Sequence, residues 1–161
     1  TGLRFFTVYG PWSRPDMAMM LFTKAMLEGS PIQVFNQGRM TRDFTYVNDV
    51  IESLVRVLAR PATPDPAFDA GMPDPSVSWA PHRIFNVGNA DPVPLMTYIE
   101  ALETSLGITA SKVFLPMQPG DVPATAADTT ALERWIGFRP STPIQVGVDQ
   151  FVAWYRQYHR V

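Results

Sequence analysis

The sequence contains no cysteine. Disulfides and thiolate-ligated metals are thereby excluded, and the composition suits a reducing, cytoplasmic setting. Neither sign of charge prevails, with 13 Lys and Arg against 15 Asp and Glu and a formal net charge of −2. This leaves no basic footprint for nucleic acid or for an anionic membrane surface. No apolar run approaches the roughly 18 residues of a membrane span, and no signal peptide is visible. No glycine-rich turn follows a strand, so the motif that cradles a dinucleotide pyrophosphate is missing from these residues. There is no internal repeat and no sign of a second domain. The sequence opens on Thr1, directly ahead of a strand, and reads as a piece of something longer.

What is present is a chain of 161 residues, 16 of them proline. That length suits one α/β domain with a real core, one that buries roughly 70% of its unfolded surface. The prolines cut the chain into short elements. The opening stretch organises the rest. Leu3-Arg4-Phe5-Phe6-Thr7-Val8 is an aromatic and β-branched strand that breaks at Tyr9-Gly10-Pro11. Its turn carries Thr, Trp, Ser and Arg. In open α/β folds, ligands bind beyond the carboxyl ends of such strands, although a plain edge strand with a loop has the same spacing.

Asp16 is placed to cap a helix running to Glu28 with Gly29 at its end, apolar on nearly every face. Its methionines suit adaptable core filling or the lining of a pocket. Pro31–Phe35 alternates like a strand and Asn36-Gln37-Gly38 turns it; Arg39–Val47 is a second strand-like run. Asn48 caps a helix over Asp49–Arg60, on which Ile51, Leu54, Val55 and Leu58 form one stripe. Residues 61–82 have no periodicity and read as an exposed, partly disordered loop. His82 within it reads as solvated rather than catalytic. A strand follows over Arg83–Asn89, then a helix from Pro94 to Leu106 ended by Gly107, and a short strand over Lys112–Leu115. The loop Pro116–Pro123 is rigid, Asp128 caps a helix to Ile136, and Thr142-Pro143-Ile144-Gln145 spells a capping box. That box starts a terminal helix with Ile144, Val148, Phe151 and Tyr155 inward.

Strand alternation puts Arg42, Phe44 and Tyr46 on one face and Asp43 and Thr45 on the other. An arginine packed among aromatics presents a fixed fork to phosphate oxygens; an ion pair with Asp43 or another surface carboxylate is the alternative. Phe35 suits stacking on a base or a place in the core. Asp121 suits hydroxyl recognition or a turn-forming Asx role. Thr7 and Arg14 bring a hydroxyl and a guanidinium to the sheet edge, a pairing suited to an acidic sugar.

Three segments, Arg4–Met17 (RFFTVYGPWSRPDM), Arg42–Val50 (RDFTYVNDV) and Pro119–Pro123 (PGDVP), resemble the extended short-chain dehydrogenase/reductases that act on nucleotide sugars. The likeness is to the UDP-glucuronate 4-epimerase branch in particular, and it covers nearly the whole chain. It implies the C-terminal substrate-binding portion of such an enzyme, residues 1–161, beginning with the last strand of the Rossmann sheet. It further implies that Arg42 grips the nucleotide diphosphate, that Gln33 and Phe35 receive the uracil, and that Asp121 reaches the ribose. Thr7 and Arg14 would hold the sugar carboxylate, and Phe5 and Val8 would border the nicotinamide of NAD. Gln118 stands where related hexose epimerases place an arginine, so it would face substrate without clamping phosphate.

Asn48 for Asp, Ser13 for Gly and the Ala124-Thr125-Ala126 stretch depart from the family pattern. The family's Tyr-x-x-x-Lys is absent, because only Lys24 and Lys112 occur and neither follows a tyrosine by four. Catalytic groups and most of the NAD site would therefore lie upstream, and this piece alone would be inactive. The implied reaction interconverts UDP-glucuronate and UDP-galacturonate through a 4-keto sugar, in an enzyme that is a homodimer when intact. A dehydratase or decarboxylase on the same scaffold, or a non-catalytic nucleotide-sugar binder, fits the same residues.

Overall fold

The computed structural model describes residues 1–161. The opening aromatic run is extended throughout, but it pairs with two different partners. Gly2–Phe5 (β1) lies parallel to Ile84–Val87 (β6), whereas Thr7–Tyr9 (β2) lies parallel to Phe44–Tyr46 (β5). Phe6 is the hinge between them. Its N–H reaches the Val87 carbonyl at 3.1 Å, and the next N–H, from Thr7, reaches the Asp43 carbonyl at 3.2 Å. The single strand read over residues 3–8 is thus two short ones, divided where the neighbouring strand changes. The run over residues 39–47 divides in the same way at Asp43. Thr41–Arg42 (β4) pairs antiparallel with Val93–Pro94 (β7), and β5 turns to β2. Ile32–Val34 (β3) pairs parallel with Lys112–Phe114 (β8), completing four two-stranded units.

Five helices cover these strands: Ala18–Leu27 (α1), Val47–Ala59 (α2), Leu95–Leu106 (α3), Thr130–Ile136 (α4) and Ile144–His159 (α5). The main core lies between α1, α3 and α5, around Met19, Phe22, Tyr98, Leu102, Val148 and Phe151. A smaller cluster holds Val50 and Val57 of α2 against Phe85, Val87 and Leu132. Of the face read as inward on α5, Val148, Phe151 and Tyr155 are buried, and on α3 Ile99 and Leu102 are fully enclosed.

Helix ends depart from the sequence reading at their starts and agree at their stops. Asp16 does not cap α1; it pairs with Arg14 at 3.1 Å, and Met17 is the extended residue before the helix. Asn48 lies inside the first turn of α2, because the helix already begins at Val47 after Tyr46. The capping box of α5 does not form. Pro143 precedes the first helical residue with no side-chain cap, and the Thr142 N–H goes to Asp49 Oδ2 at 2.9 Å. Pro94 likewise stands outside α3, in β7. Asp128 does hold the first turn of α4, accepting the Thr130 N–H at 3.0 Å. At the C-terminal ends, Gly29 and Gly107 adopt φ of 68° and 71°. Gly29 donates to Met26 and Ser30 to Ala25, the paired closure of a Schellman end.

The apolar stripe read on α2 exists, but it faces outward. Ile51, Leu54, Val55 and Leu58 are exposed, and the buried side is Val50, Ser53 and Val57. Helix α1 is also less enclosed than its composition suggests, with Leu21 half exposed. Residues 61–82 carry no helix or strand, apart from one isolated bridge from Val77 to Arg83. Asp65, Asp69 and Asp74 each accept an N–H two residues on, and Arg83 holds Asp65 at 3.5 Å. No helix is long and apolar enough to cross a membrane.

Candidate functional site

Two clefts open on either side of the segment Arg14–Ala18. The first, about 620 Å³, lies over β2 and the turn after it, and brings together Phe5, Thr7, Val8 and Arg14. Thr7 is placed there by its N–H bond to the Asp43 carbonyl. The turn is built on Gly10, whose φ of 132° and contact with Val47 and Tyr46 leave no room for a Cβ. Ser13 closes the turn through its hydroxyl, which donates to the Gly10 carbonyl at 2.7 Å. Arg14 stands exposed at the rim and is held by Asp16.

Tyr9 lines this cleft and belongs to the aromatic core behind it. Tyr9 packs edge-on to Phe44 and Tyr98, and Phe44 stacks on Tyr98 with centroids 4.3 Å apart. Burial raises the Tyr9 phenol well above its ordinary value, with the Asp49 charge and Tyr46 adding to the effect. Burial and then Asp49 raise Tyr46 as well. Both phenols are therefore protonated at neutral pH, and Tyr9 gives the cleft no base.

The second cleft, about 550 Å³, lies between α1 and β3 and brings together Gln33, Phe35 and Gln118 with Asp16 and Phe22. Gln33 projects outward from a strand whose flanking Ile32 and Val34 are buried. Phe35 is half buried and faces this cleft, so it is not a core residue. It ends β3 and starts a 3₁₀ turn in which Asn36, Gln37 and Gly38 all have positive φ.

Arg42 and Asp121 line neither cleft. They meet each other, Arg42 Nη2 to Asp121 Oδ1 at 2.7 Å, and Nη1 donates to the Thr41 carbonyl at 2.9 Å. The Arg42 side chain is 15% exposed, so its fork is fixed in direction with an edge open. Asp121 Oδ1 also accepts the Val122 N–H, the local Asx contact, so its carboxylate is engaged by Arg42 and by its own loop. Asp121 belongs to the loop that carries Gln118, whose carbonyl accepts the Asp121 N–H. The structure thus brings Phe5, Thr7, Val8 and Arg14 together, and Gln33, Phe35 and Gln118 together. Arg42 and Asp121 form a third group, tied to the second by the loop.

Asp43 does not pair with Arg42. It is fully buried and accepts the N–H groups of Asn89, Ala90 and Ala127. Sequence reasoning gave it no site role. The available signal was an acidic residue on the inward face of an alternating strand, where a carboxylate requires donors.

Comparison with known proteins gives this arrangement its relatives. The sequence profile of the NAD dependent epimerase/dehydratase family matches residues 1–88. Protein CapI of Staphylococcus aureus is 51% identical over 160 residues, covering 99% of this chain and 48% of CapI. A probable UDP-glucuronate 4-epimerase of Rhizobium meliloti is 45% identical, over 99% of this chain and 47% of the relative. The crystal structure of UDP-glucuronic acid 4-epimerase from Bacillus cereus, in complex with UDP-glucuronic acid and NAD, superposes with a TM-score of 0.78. Its sequence identity is 31%, over 97% of this chain and 45% of that one. The chain therefore spans about half the length of the relatives it matches, and it has the α/β fold of that half of an extended short-chain dehydrogenase/reductase. By the profile match across its first 88 residues and the relatives aligned along nearly all of it, this chain belongs to the NAD dependent epimerase/dehydratase family.

Proposed function

We propose that residues 1–161 form the substrate-binding portion of an NAD-dependent nucleotide-sugar epimerase acting on UDP-glucuronate and UDP-galacturonate. The observation that carries this reading is the position of Arg42: a nearly buried guanidinium, aimed by the Thr41 carbonyl and Asp121, beside a loop that also lines the second cleft. In this reading Arg42 takes the diphosphate in charge-assisted hydrogen bonds. Phe35 gives the uracil an apolar face and Gln33 lies at its edge, with Gln118 across the cleft. Asp121 accepts from the ribose hydroxyls. The first cleft takes the sugar, where Thr7 and the exposed charge of Arg14 at the rim suit a uronate carboxylate.

NAD supplies hydride removal from the sugar C4 and its return to the opposite face. The residues present fit only one edge of that cofactor: Phe5 and Val8 make an apolar shelf beside Thr7, and no glycine-rich turn is available for its phosphates. This chain's own work is to hold the nucleotide while the sugar moves. Tight binding of the non-reacting UDP supports chemistry at the reacting carbon. Tyr9, the tyrosine that lines the cleft, stays protonated, and in this reading proton transfer belongs to groups outside these residues.

The test is to incubate the full polypeptide carrying this chain with UDP-glucuronate and follow the anomeric signals by NMR. UDP-galacturonate at equilibrium is the expected result. Release of carbon dioxide would move the assignment to a decarboxylase, and unchanged sugar with UDP still bound would leave a nucleotide-sugar binder. Arg42→Ala is expected to weaken UDP binding about 10- to 100-fold, the loss of a charge-assisted pair. Unchanged affinity would remove the central support for the reading.

A further inference from the structure

Asp43 has no exposed surface, and its carboxylate is fully engaged by donors from three parts of the chain. Oδ1 accepts the Asn89 N–H at 2.7 Å and the Thr45 hydroxyl at 3.4 Å. Oδ2 accepts the Ala90 N–H at 3.0 Å and the Ala127 N–H at 2.9 Å. Its nearest basic neighbour, Arg42, is turned to Asp121 instead. Stripping a carboxylate of water costs several kcal/mol, and here backbone N–H groups take the place of that water. An apolar residue at 43 would fill the space but would leave three N–H groups unpaired.

One of those donors, Ala127, joins Asp43 to the segment that begins at Asp121. The Thr41 N–H reaches the Pro123 carbonyl at 2.9 Å, and the Thr125 N–H reaches the Thr41 carbonyl at 3.1 Å. Residues 123–125 thus run parallel to β4 through one isolated bridge, Thr41 to Ala124. Backbone pairing stops there, and Asp43 continues it. Its N–H donates to Thr125 Oγ1 at 3.3 Å, and its carboxylate takes Ala127. On the opposite side, the Asp43 carbonyl holds the Thr7 N–H. Gly88 is shaped to this node. A Cβ there would stand 2.3 Å from the Ala127 Cβ and 3.1 Å from Asp43 Oδ2.

We propose that Asp43 is a positioning residue for the nucleotide-sugar site. Its carboxylate fixes the 121–127 segment along β4 and so sets the Asp121 carboxylate opposite Arg42, while its carbonyl sets Thr7 in the sugar cleft. The role rests on the UDP-sugar reading above. It is distinct from a general contribution to stability in its readout, which is local to the 121–127 segment and to UDP affinity.

The experiment uses Asp43→Asn in the full polypeptide, a change that keeps the volume but turns an NH₂ toward N–H donors. UDP affinity by calorimetry is expected to fall about tenfold or more. Hydrogen exchange of the peptides covering 121–127 is expected to speed up by a similar factor, with α3 and α5 unchanged. In an Asp121→Ala background the further effect of Asp43→Asn on UDP affinity is expected to shrink to under about twofold, the sign of coupled residues. Should Asp43→Asn not fold, Thr125→Val removes one acceptor of the same stitch and is expected to give a smaller loss in the same two readouts. Equal losses in both backgrounds, or wild-type UDP affinity and wild-type exchange in either variant, would overturn the role of Asp43 alone. A wild-type protein that does not bind UDP would overturn the nucleotide-sugar reading and this role with it.

Discussion

Gly147 sits in the first turns of α5 directly against Tyr9, and alanine there has nowhere to go. An added Cβ would lie 2.2 Å from the Tyr9 hydroxyl oxygen and 2.7 Å from both Cε2 and Cζ. The Tyr9 ring cannot step aside. It is 3% exposed and enclosed by Phe44, Tyr46 and Tyr98 at centroid distances of 6.2, 5.6 and 6.4 Å. Alanine gains helix propensity, at most about 1 kcal/mol, while forced overpacking costs about 1–3 kcal/mol and sits at the upper end when the obstacle is a buried ring. We expect Gly147→Ala to lose about 2 kcal/mol, read as a fall in Tm of roughly 4–8 °C for a domain of this size. The Tyr9 hydroxyl has no hydrogen-bond partner. Tyr9→Phe is therefore expected to cost little by itself and to recover about 1 kcal/mol of the Gly147→Ala loss, a non-additivity that thermal melts of the four proteins would resolve. Gly147→Ala as stable as the parent would refute the argument from close approach.

Three other expectations follow from the same contacts. Gly88→Ala, which drives a methyl into Ala127 and toward Asp43, should lose about 2 kcal/mol or more in urea denaturation. For the Glu103 carboxyl, burial acts to raise the pKa, but the Lys112 hydrogen bond, the Ala110 N–H and the Lys112 charge outweigh it and hold the group below its ordinary 4.5. Its stabilisation is full above 4.5 and is lost as pH falls through the lower folded value. Glu103→Gln should therefore cost about 1 kcal/mol at pH 7, and the gap in Tm should close under acid; a gap that persists at pH 2 would contradict the linkage. On α2, Val57→Ala should cost about 2 kcal/mol and Leu58→Ala less than about 0.5 kcal/mol, because Val57 is 6% and Leu58 73% exposed. Equal losses would mean that the outward stripe is covered in the full polypeptide.

Helix α3 and helix α5 were legible because a period of 3.6 residues is carried by the residues themselves, and Gly29 and Gly107 marked the ends of α1 and α3 because a left-handed residue favours glycine whatever surrounds it. Helix starts were less legible. Asp16, Asn48 and Thr142 have the chemistry of caps, but each is used elsewhere or overtaken: Asp16 by Arg14, Asn48 by a helix that begins a residue earlier, and Thr142 by its contact with Asp49. A short polar side chain offers several local bonds of similar worth, and distant partners decide among them.

The site divides in the same way. The amino-acid order by itself determined that the runs around Thr7 and Arg42 are extended, that a polar turn follows Tyr9, and that the pattern of these segments is that of the nucleotide-sugar epimerases and dehydratases. Only the tertiary structure decided that α2 turns Val50 and Val57 inward and Ile51 and Leu58 outward, since periodicity defines a stripe but not what covers it. It also decided that Arg42 meets Asp121, 79 residues away, and that Asp43 is sunk among the N–H groups of Asn89, Ala90 and Ala127. Those donors belong to turns far along the chain, and a buried carboxylate is stable only once folding has carried them to it.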